Sequence, residues 1–197
     1  MERWMVTGTN GFLGSRIMEY YQDKYEITGA NHGNLDITDE GAVTSVVKKA
    51  RPRLVIHCAA ISNTGTCQEN PGLSEAVNVK GAVNLARACR ETGSRLIFMS
   101  SDQIYAGNRT MEPGKEENTP KPVNVYGLHK RQAEDEIMAI LPEAACPRLP
   151  WMYDFPWRGL KSNSNFLGNL LKALIHKRPL TLPVYDYRGI TWAMEVV

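Results

Sequence analysis

Short apolar segments alternate with helical patterns along the chain, and this alternation limits the fold more than any other feature. The segments "WMVTG", "YEITGA", "RLVIHCAA" and "RLIFMSS" have the length and composition of buried strands, and "ACPRLPW" is a weaker candidate. The stretches between and after them carry apolar residues at helical spacing, as in "NFLGNLLKALIHK". Alternating strands and helices form βαβ units, so we predict an α/β fold with a doubly wound parallel sheet.

Local signals mark several ends of these helices. Thr38 is a plausible N-cap for the helix in "TDEGAVTSVVKKA", Pro71 begins a later helix, and Gly93 ends it. The stretch "GNRTMEPGKEENTPKP" is polar and rich in turn-forming residues, which predicts a loop. The helix that follows has an apolar side formed by Leu128, Ala133, Ile137 and Leu141.

Size and composition narrow the class of protein. The 197 residues, 43% of them hydrophobic, are enough for one domain with a core, or for one domain and part of another. A net charge of +2 gives no reason to expect nucleic acid or an anionic membrane as a partner. There is no apolar run of membrane-spanning length, and no Cys or His spacing typical of a metal site. We therefore expect a cytoplasmic protein with free thiols and no metal.

Three glycines in "VTGTNGFLGSRI" stand at the turn from the first strand to the first helix. A dinucleotide pyrophosphate needs backbone amides and a helix N-terminus directed at it, and side chains at Gly8 or Gly11 would block its approach. Gly14 would let the helix pack closely on the sheet. The spacing is G-x-x-G-x-x-G, which differs from the commonest dinucleotide motif. A glycine-rich turn that binds nothing is the alternative.

The end of the second predicted strand bears on the choice of cofactor. A carboxylate at this point would bind the adenosine ribose hydroxyls and favour NAD, but the chain has Asn31 and His32 there. A neutral or weakly basic pair tolerates a 2′-phosphate better, so we expect NADPH rather than NADH. The alternative is that both are ordinary turn residues.

Four side chains are candidates for proton chemistry. Tyr126 and Lys130 are one helical turn apart on one face, and a nearby ammonium group lowers the pKa of a phenol. Such a tyrosine can exchange a proton with an alcohol or carbonyl. Ser101 and Asp102 follow the fourth strand, at the sheet edge where doubly wound folds bind ligands. A surface Tyr with a solvated Lys, and a serine that only caps a turn, remain the plain alternatives.

Together these motifs resemble the extended short-chain dehydrogenases/reductases, and most of all the dTDP-4-dehydrorhamnose reductase group. The matching stretches include "VTGTNGFLG", "LDITDEGAV", "AVNVKGAVNLARAC", "SSDQIYAG" and "PVNVYGLHKRQAEDEI", and they cover nearly all of the chain. The resemblance implies an NAD(P)-binding Rossmann domain at 1–150. It also implies that 151–197 begins a substrate-binding lobe that continues for many more residues in the family.

The resemblance also implies roles for individual positions. The substrate would be a 4-keto sugar nucleotide whose C4 receives a hydride, and Tyr126 would protonate the C4 carbonyl oxygen. Ser101, beside Asp102, would bind that same oxygen. Lys130 would hold the nicotinamide ribose. Trp151 and Asn165 would contact the sugar. Asp36 and Ile37 would lie at the adenine, and Ala59 and Ala60 along the strand edge beside the cofactor. The pyrophosphate would be held by Gly8, Asn10, Gly11, Phe12, Leu13 and Gly14.

Two other functions stay open beside the reductase. An epimerase or dehydratase on the same scaffold would use NAD, and a dehydratase usually has more acidic residues beside the strand-end Ser than Asp102 alone. Some relatives are non-catalytic regulatory subunits, such as the methionine adenosyltransferase β subunit, although that interpretation predicts loss of Tyr126 or Lys130. Leu149 and Pro150 replace the polar residue that the family usually has before Trp151. For assembly, the resemblance leaves a homodimer open.

Overall fold

The computed structural model of the chain describes residues 1–108, 115–156, 159–160, 166–182 and 189–197. Its centre is a parallel four-stranded sheet with the strand order β2-β1-β3-β4. The strands are β1 (Arg3–Thr7), β2 (Glu26–Ala30), β3 (Leu54–His57) and β4 (Arg95–Phe98). All four agree with the predicted strands, and all neighbouring pairs are parallel, as the βαβ pattern requires.

The weak strand candidate near residue 148 extends this sheet. The strands β5 (Ser100–Ser101) and β6 (Arg148–Leu149) pair in parallel. Just before them, the Phe98 amide donates a hydrogen bond of 2.8 Å to the Ala145 carbonyl. The segment before β6 therefore lies beside β4 and acts as a fifth strand. A separate parallel pair joins β7 (Trp151–Tyr153) to β8 (Ile190–Trp192).

Helices follow the strands in the predicted order. They are α1 (Phe12–Tyr21), α2 (Glu40–Ala50), α3 (Thr64–Glu69), α4 (Pro71–Glu75), α5 (Gly81–Thr92), α6 (Val125–Ile140), α7 (Phe166–Ile175) and α8 (Ala193–Val196). A π-helical turn, Ala76–Lys80, connects α4 to α5, and a 3₁₀ turn, Asp102–Tyr105, follows β5. Pro71 is at the start of α4 and Gly93 ends α5 with φ of 69°, as predicted.

Two hydrophobic clusters cover opposite faces of the sheet. Because side chains alternate along a strand, Met5 and Val55 point into the cluster that includes α2, α5 and α6. Their neighbours Val6 and Ile56 point into the cluster with Leu13 and Ile17 of α1. Burial on both faces confirms the doubly wound arrangement and explains why the strands are continuous apolar runs.

Three helix details differ from the sequence expectations. The N-cap of α2 is Asp39, whose carboxylate accepts from the Ala42 amide at 2.9 Å, and Thr38 instead donates to Asp36. Leu128, expected on the apolar side of α6, is 52% exposed, because the helix turns Ala133 and Ile137 to the core. In α7 the apolar Leu171, Leu174 and Ile175 are exposed.

Two features relate to the expectations that were drawn from composition: the state of the cysteines and the length of the helices. All four cysteines are free thiols, and Cys67 and Cys89 are buried. Within the described ranges, no helix is both long and apolar enough to cross a membrane.

Candidate active site

A cleft opens at the carboxyl ends of the central strands, where the order of the sheet reverses. β2 lies on one side of β1 and β3 on the other, so β1 and β3 form the switch point at which such folds bind ligands. The cleft has a volume of about 830 Å³. It brings together nine of the predicted site residues: Gly11, Phe12, Leu13, Ala60, Ser101, Asp102, Tyr126, Lys130 and Trp151.

The glycine turn forms one end of this cleft. Gly8 has a positive φ of 70°, and a Cβ there would lie 2.7 Å from the Ala59 amide nitrogen. A Cβ at Gly14 would lie 2.4 Å from the Gly8 carbonyl oxygen, so the absence of side chains lets α1 close onto the end of β1. Gly11 lines the cleft immediately before the first turn of α1. Backbone amides at a helix N-terminus beside open space fit a pyrophosphate.

The residues expected near the adenosine lie outside the cleft, next to the glycine turn. Ala30 at the end of β2 accepts from the Thr9 amide at 3.2 Å, which connects the two segments. Asn31 and Asn34 close a local turn, in which the Asn31 amide donates to the Asn34 side chain at 2.7 Å. His32 is exposed in that turn. Asn10 of the glycine turn is exposed too. Both of our interpretations of Asn31 and His32 fit this arrangement.

Asp36 and Ile37 face different surroundings. Asp36 is exposed, and hydrogen bonds from the Thr38 amide and hydroxyl hold the pKa of its carboxyl below the ordinary value. Ile37 is buried in the core, where its side chain covers Gly81 so closely that a Cβ there would lie at 2.7 Å. The Ile37 side chain therefore has a packing role.

Tyr126 is in the first turn of α6 and lines the cleft. Asn124 caps the helix by accepting from the Gly127 amide at 2.8 Å, which fixes where the first turn begins. Burial raises the pKa of Tyr126 to about 12, a change that the hydrogen bond with Ser101 opposes. The lowered pKa that we expected for Tyr126 is therefore not found, because desolvation by burial outweighs the hydrogen bond with Ser101. The phenol keeps its proton at neutral pH.

Lys130 lies beneath Tyr126 and is 2% exposed. Its Nζ donates to the Met99 carbonyl at 2.7 Å and lies 5.8 Å from the centre of the Tyr126 ring. Burial lowers the pKa of Lys130 to about 8, while the Cys58 thiol and the Glu134 carboxylate act in the opposite direction. The plain alternative of a solvated surface lysine is excluded by this burial.

Ser101 caps a turn and also lines the cleft. Its Oγ accepts from the Gln103 amide at 3.2 Å and so caps the 3₁₀ turn. The hydroxyl also donates to the Asp102 carboxylate at 3.2 Å and faces Tyr126. A donor that rotates between a carboxylate and open space can bind a substrate oxygen beside the phenol.

Several positioning contacts were missed from the sequence. The Asn124 side-chain Nδ2 donates to Oε1 of Gln103 at 2.9 Å, and a Cβ at Gly127 would meet the backbone carbonyl oxygen of Gln103 at 2.5 Å. These contacts hold Tyr126 against the turn after Ser101. Asn78, in the π-helical turn, bonds both the amide and the carbonyl of Ile61 at 2.9 and 3.0 Å. A π-helical turn is frequent at functional sites, but the sequence pattern does not reveal one.

The predicted sugar-contacting residues are only partly within the described chain. Trp151 in β7 lines the cleft and is 46% exposed, whereas Asn165 lies outside the described residues. Asp154, just after β7, forms a buried ion pair of 2.6 Å with Arg16 of α1. The Trp192 indole donates to the same carboxylate at 2.9 Å. This cluster fixes the β7–β8 pair against α1, so Trp151 lies on a supported strand.

Comparison with known proteins assigns the family. The sequence model of the family described as "RmlD substrate binding domain" matches residues 2–197. The chain belongs to this family. It is 36% identical over 197 residues to the dTDP-4-dehydrorhamnose reductase of Streptomyces griseus, covering 98% of this chain and 62% of that protein. The chain therefore spans about three fifths of the length of this curated relative.

Two further members of the comparison bear on the site. The crystal structure of dTDP-4-dehydrorhamnose reductase from Bacillus anthracis in complex with NADP superposes with a TM-score of 0.81. It is 30% identical and covers 90% of this chain and 61% of that one. The methionine adenosyltransferase 2 subunit beta of Xenopus laevis is 31% identical over 159 residues, which covers 77% of this chain and 47% of that protein. The RmlD family chain thus resembles both a reductase and a protein named as a subunit of another enzyme.

Proposed function

We propose that this RmlD family chain carries the NAD(P)H-binding and proton-transfer part of a reductase that acts on a 4-keto sugar nucleotide. One observation supports the proposal above the others. Tyr126, Ser101 and Lys130 lie together in a cleft whose other end is the glycine turn. Reduction of a ketone requires a proton donor for the carbonyl oxygen beside a dinucleotide site, and this cleft offers both.

The residues divide the work of proton transfer. The Tyr126 phenol, protonated at neutral pH, donates its proton to the carbonyl oxygen as that oxygen gains charge. The Ser101 hydroxyl binds the same oxygen, which keeps the carbonyl aligned with the phenol. The Lys130 ammonium stabilises the phenolate that remains, since a cation close to a phenolate lowers its energy in a buried site. Positioned acid catalysis of this kind contributes about 10²–10⁴-fold in rate.

The cofactor would occupy the glycine side of the cleft. NADPH, when bound, supplies the hydride that reduces the carbonyl carbon. Amides of the glycine turn and the first turn of α1 would hold its pyrophosphate, and Lys130 would hold the nicotinamide ribose. Asn31 and His32 bring no carboxylate to the end of β2, so a 2′-phosphate meets no negative charge from them. The NADP complex of the Bacillus anthracis relative supports the choice of NADPH.

Calorimetric titration with NADPH and with NADH tests the cofactor assignment without a sugar substrate. We expect binding of both, with NADPH tighter. The variant His32→Asp should weaken NADPH binding more than NADH binding, because a carboxylate repels the 2′-phosphate. If neither NADPH nor NADH binds, the proposal is contradicted. If binding is found, loss of NADPH absorbance with dTDP-4-dehydrorhamnose then tests turnover.

A regulatory subunit is the second candidate, favoured by the 31% identity to the Xenopus laevis β subunit. The presence of both Tyr126 and Lys130 in the cleft argues for the reductase. NADPH binding without any turnover of 4-keto sugar nucleotides would favour the regulatory function. NAD that stays bound through purification would instead favour an epimerase.

Organisation and location complete the proposal. We infer a nucleotide-binding domain at 1–150 and the beginning of a substrate-binding portion at 151–197, to which β7, α7 and β8 belong. We also propose a cytoplasmic location, supported by the four free thiols, and a homodimer as the assembly. Size-exclusion chromatography with light scattering tests the assembly.

A further inference from the structure

A chain of buried hydrogen bonds runs from α6 to the segment that follows β3. His129, the residue before Lys130, is 7% exposed, and its Nδ1 lies 2.8 Å from the Ser74 hydroxyl oxygen of α4. Ser74 is fully buried, and its Oγ also accepts from the Asn78 side chain at 3.2 Å. Asn78 in turn bonds the amide of Ile61 at 2.9 Å and the carbonyl of Ile61 at 3.0 Å.

The backbone of Ile61 fixes the direction of the hydrogen bonds that Asn78 makes. A backbone amide only donates and a carbonyl only accepts, so Asn78 presents Oδ1 to the first and Nδ2 to the second. Nδ2 has a second hydrogen, for which the Ser74 Oγ is the near acceptor. The Cys67 sulfur, at 3.9 Å from Nδ2, is farther away and accepts only weakly.

The direction of the last hydrogen bond determines which nitrogen of His129 carries hydrogen. The Ser74 hydroxyl accepts from Asn78 and has one hydrogen of its own to donate. Among the described residues, its Oγ has no other partner than Asn78 and His129. A buried donor without an acceptor is costly, so the hydroxyl donates to Nδ1 of His129. Nδ1 is therefore unprotonated, and the imidazole hydrogen is on Nε2.

This chain of hydrogen bonds connects two walls of the cleft. Ala60, next to Ile61, lines the cleft on the side expected for the cofactor. Tyr126 and Lys130 of α6 line it as well, and His129 directly precedes Lys130. His129 is absent from the described residues that line the cleft, so it acts on the cleft only through its hydrogen-bonded partners.

We propose that His129 is a positioning residue, whose Nδ1 accepts from Ser74 and thereby, through Asn78, holds residues 60–62 against α6. The segment at 60–62 borders the nicotinamide cofactor in the reductase, and this part of the role rests on the proposed function. Because the imidazole must accept a hydrogen bond at Nδ1, only its neutral form with hydrogen on Nε2 completes the network.

The first test determines the tautomer directly. The full chain is labelled with ¹⁵N-histidine, and long-range ¹H–¹⁵N correlation spectra are recorded at pH 7.5. The chain has four histidines, so loss of one set of signals in His129→Asn assigns those of His129. We expect a protonated Nε2 and an unprotonated Nδ1. A proton on Nδ1, in the other tautomer or in the imidazolium, overturns the inference.

Hydrogen exchange of the Ile61 amide tests whether His129 holds the segment after β3. His129→Leu should speed this exchange by about 2–10-fold, because the Ser74 hydroxyl loses its acceptor. His129→Asn offers a carbonyl oxygen in place of Nδ1 and should keep the exchange slow. Glu136→Leu, at an exposed position of the same helix, is the matched control and should have no effect. The Val55 amide, in the centre of the sheet, reports on global stability.

Two results of the exchange measurement would refute the positioning role. One is an unchanged rate at Ile61 in His129→Leu. The other is an equal acceleration at Ile61 and Val55, because His129 would then support the fold as a whole.

NADPH binding provides the functional readout. His129→Leu should raise the Kd for NADPH by about 2–10-fold, whereas His129→Asn and Glu136→Leu should leave it close to the wild-type value. Equal affinity in wild type and His129→Leu would overturn the role at the cofactor. If the wild-type chain binds neither NADPH nor NADH, the reductase proposal fails, and the tautomer and the Ile61 exchange rate still decide whether His129 holds the segment.

Discussion

Acid should destabilise this protein through one buried imidazole. His57, at the end of β3, is 1% exposed, and its Nδ1 lies 2.7 Å from the Thr7 hydroxyl oxygen. Among the described residues, its Nε2 has no hydrogen-bond partner. Burial and the nearby Lys130 charge lower the pKa of His57 to about 3. Lowering the pH from 7 to 4 therefore favours the unfolded chain, whose imidazole accepts a proton freely.

The magnitude follows from the difference in proton binding. An unfolded His titrates near pH 6.5, so between about pH 6.5 and 3 the unfolded state holds one more proton than the native state. The free energy of unfolding then falls by about 1.4 kcal/mol for each unit of pH lost in this window. From pH 6.5 to 4 the His57 contribution amounts to about 3 kcal/mol. The stabilising contribution of His57 is complete above pH 6.5 and disappears as the pH approaches 3.

Urea unfolding at pH 7 and pH 4, compared between wild type and His57→Asn, isolates this contribution. Carboxyl groups also contribute to the loss of stability in acid. Hydrogen bonds from Thr38 lower the pKa of Asp36, and Lys48 lowers that of Glu91. These losses occur in both proteins and cancel in the difference. Wild type should lose about 3 kcal/mol more than the variant. An equal loss in both proteins would refute the reasoning about His57.

Three further changes test other parts of the molecule. Tyr126→Phe should lower kcat by about 10²–10⁴-fold while leaving the Kd for NADPH nearly unchanged, and equal turnover would contradict the role of the phenol as acid. Gly14→Ala should cost about 1–3 kcal/mol in urea unfolding and weaken NADPH binding, because its Cβ would lie 2.4 Å from the Gly8 carbonyl oxygen. The control Gly72→Ala, with nothing within 4 Å, should be close to neutral in both measurements. Arg16→Met should lower the free energy of unfolding by about 3–5 kcal/mol, because it leaves the buried Asp154 carboxylate without its ion-pair partner. The double variant Arg16→Met/Asp154→Leu should recover much of this loss. A loss of under about 1 kcal/mol in the single variant would count against a stabilising ion pair.

Local patterns predicted the secondary structure well, except where two local solutions compete. Thr38 and Asp39 are both good caps, and the choice of Asp39 depends on the turn in which Thr38 binds Asp36. The apolar spacing of α6 placed Leu128 with Ala133 and Ile137, although only the latter two reach the core. Helical period fixes which residues share a face, but the packing partner decides how wide the buried part of that face is.

The residues that line the cleft were predictable where a single short segment of the sequence contains the motif. The glycine turn, the Tyr126/Lys130 pair and the strand-end Ser101 are each set by local sequence, and βαβ topology brings the strand ends to one edge. The pKa of Tyr126 was not predictable, because it depends on desolvation by residues from several elements. Nor were the partners of Glu134 and Arg16, since Arg148 and Asp154 come from distant parts of the chain.

The sequence by itself thus determined the α/β class, the succession of strands and helices along the chain, and the residue types at the cleft. These features follow from the periodicity of apolar residues and from local backbone geometry, which a few neighbouring residues are enough to specify. Only the tertiary structure decided which charges are buried, which are paired and how strongly each proton is held. Burial and long-range pairing depend on elements that meet only in the folded chain, so no local pattern specifies them.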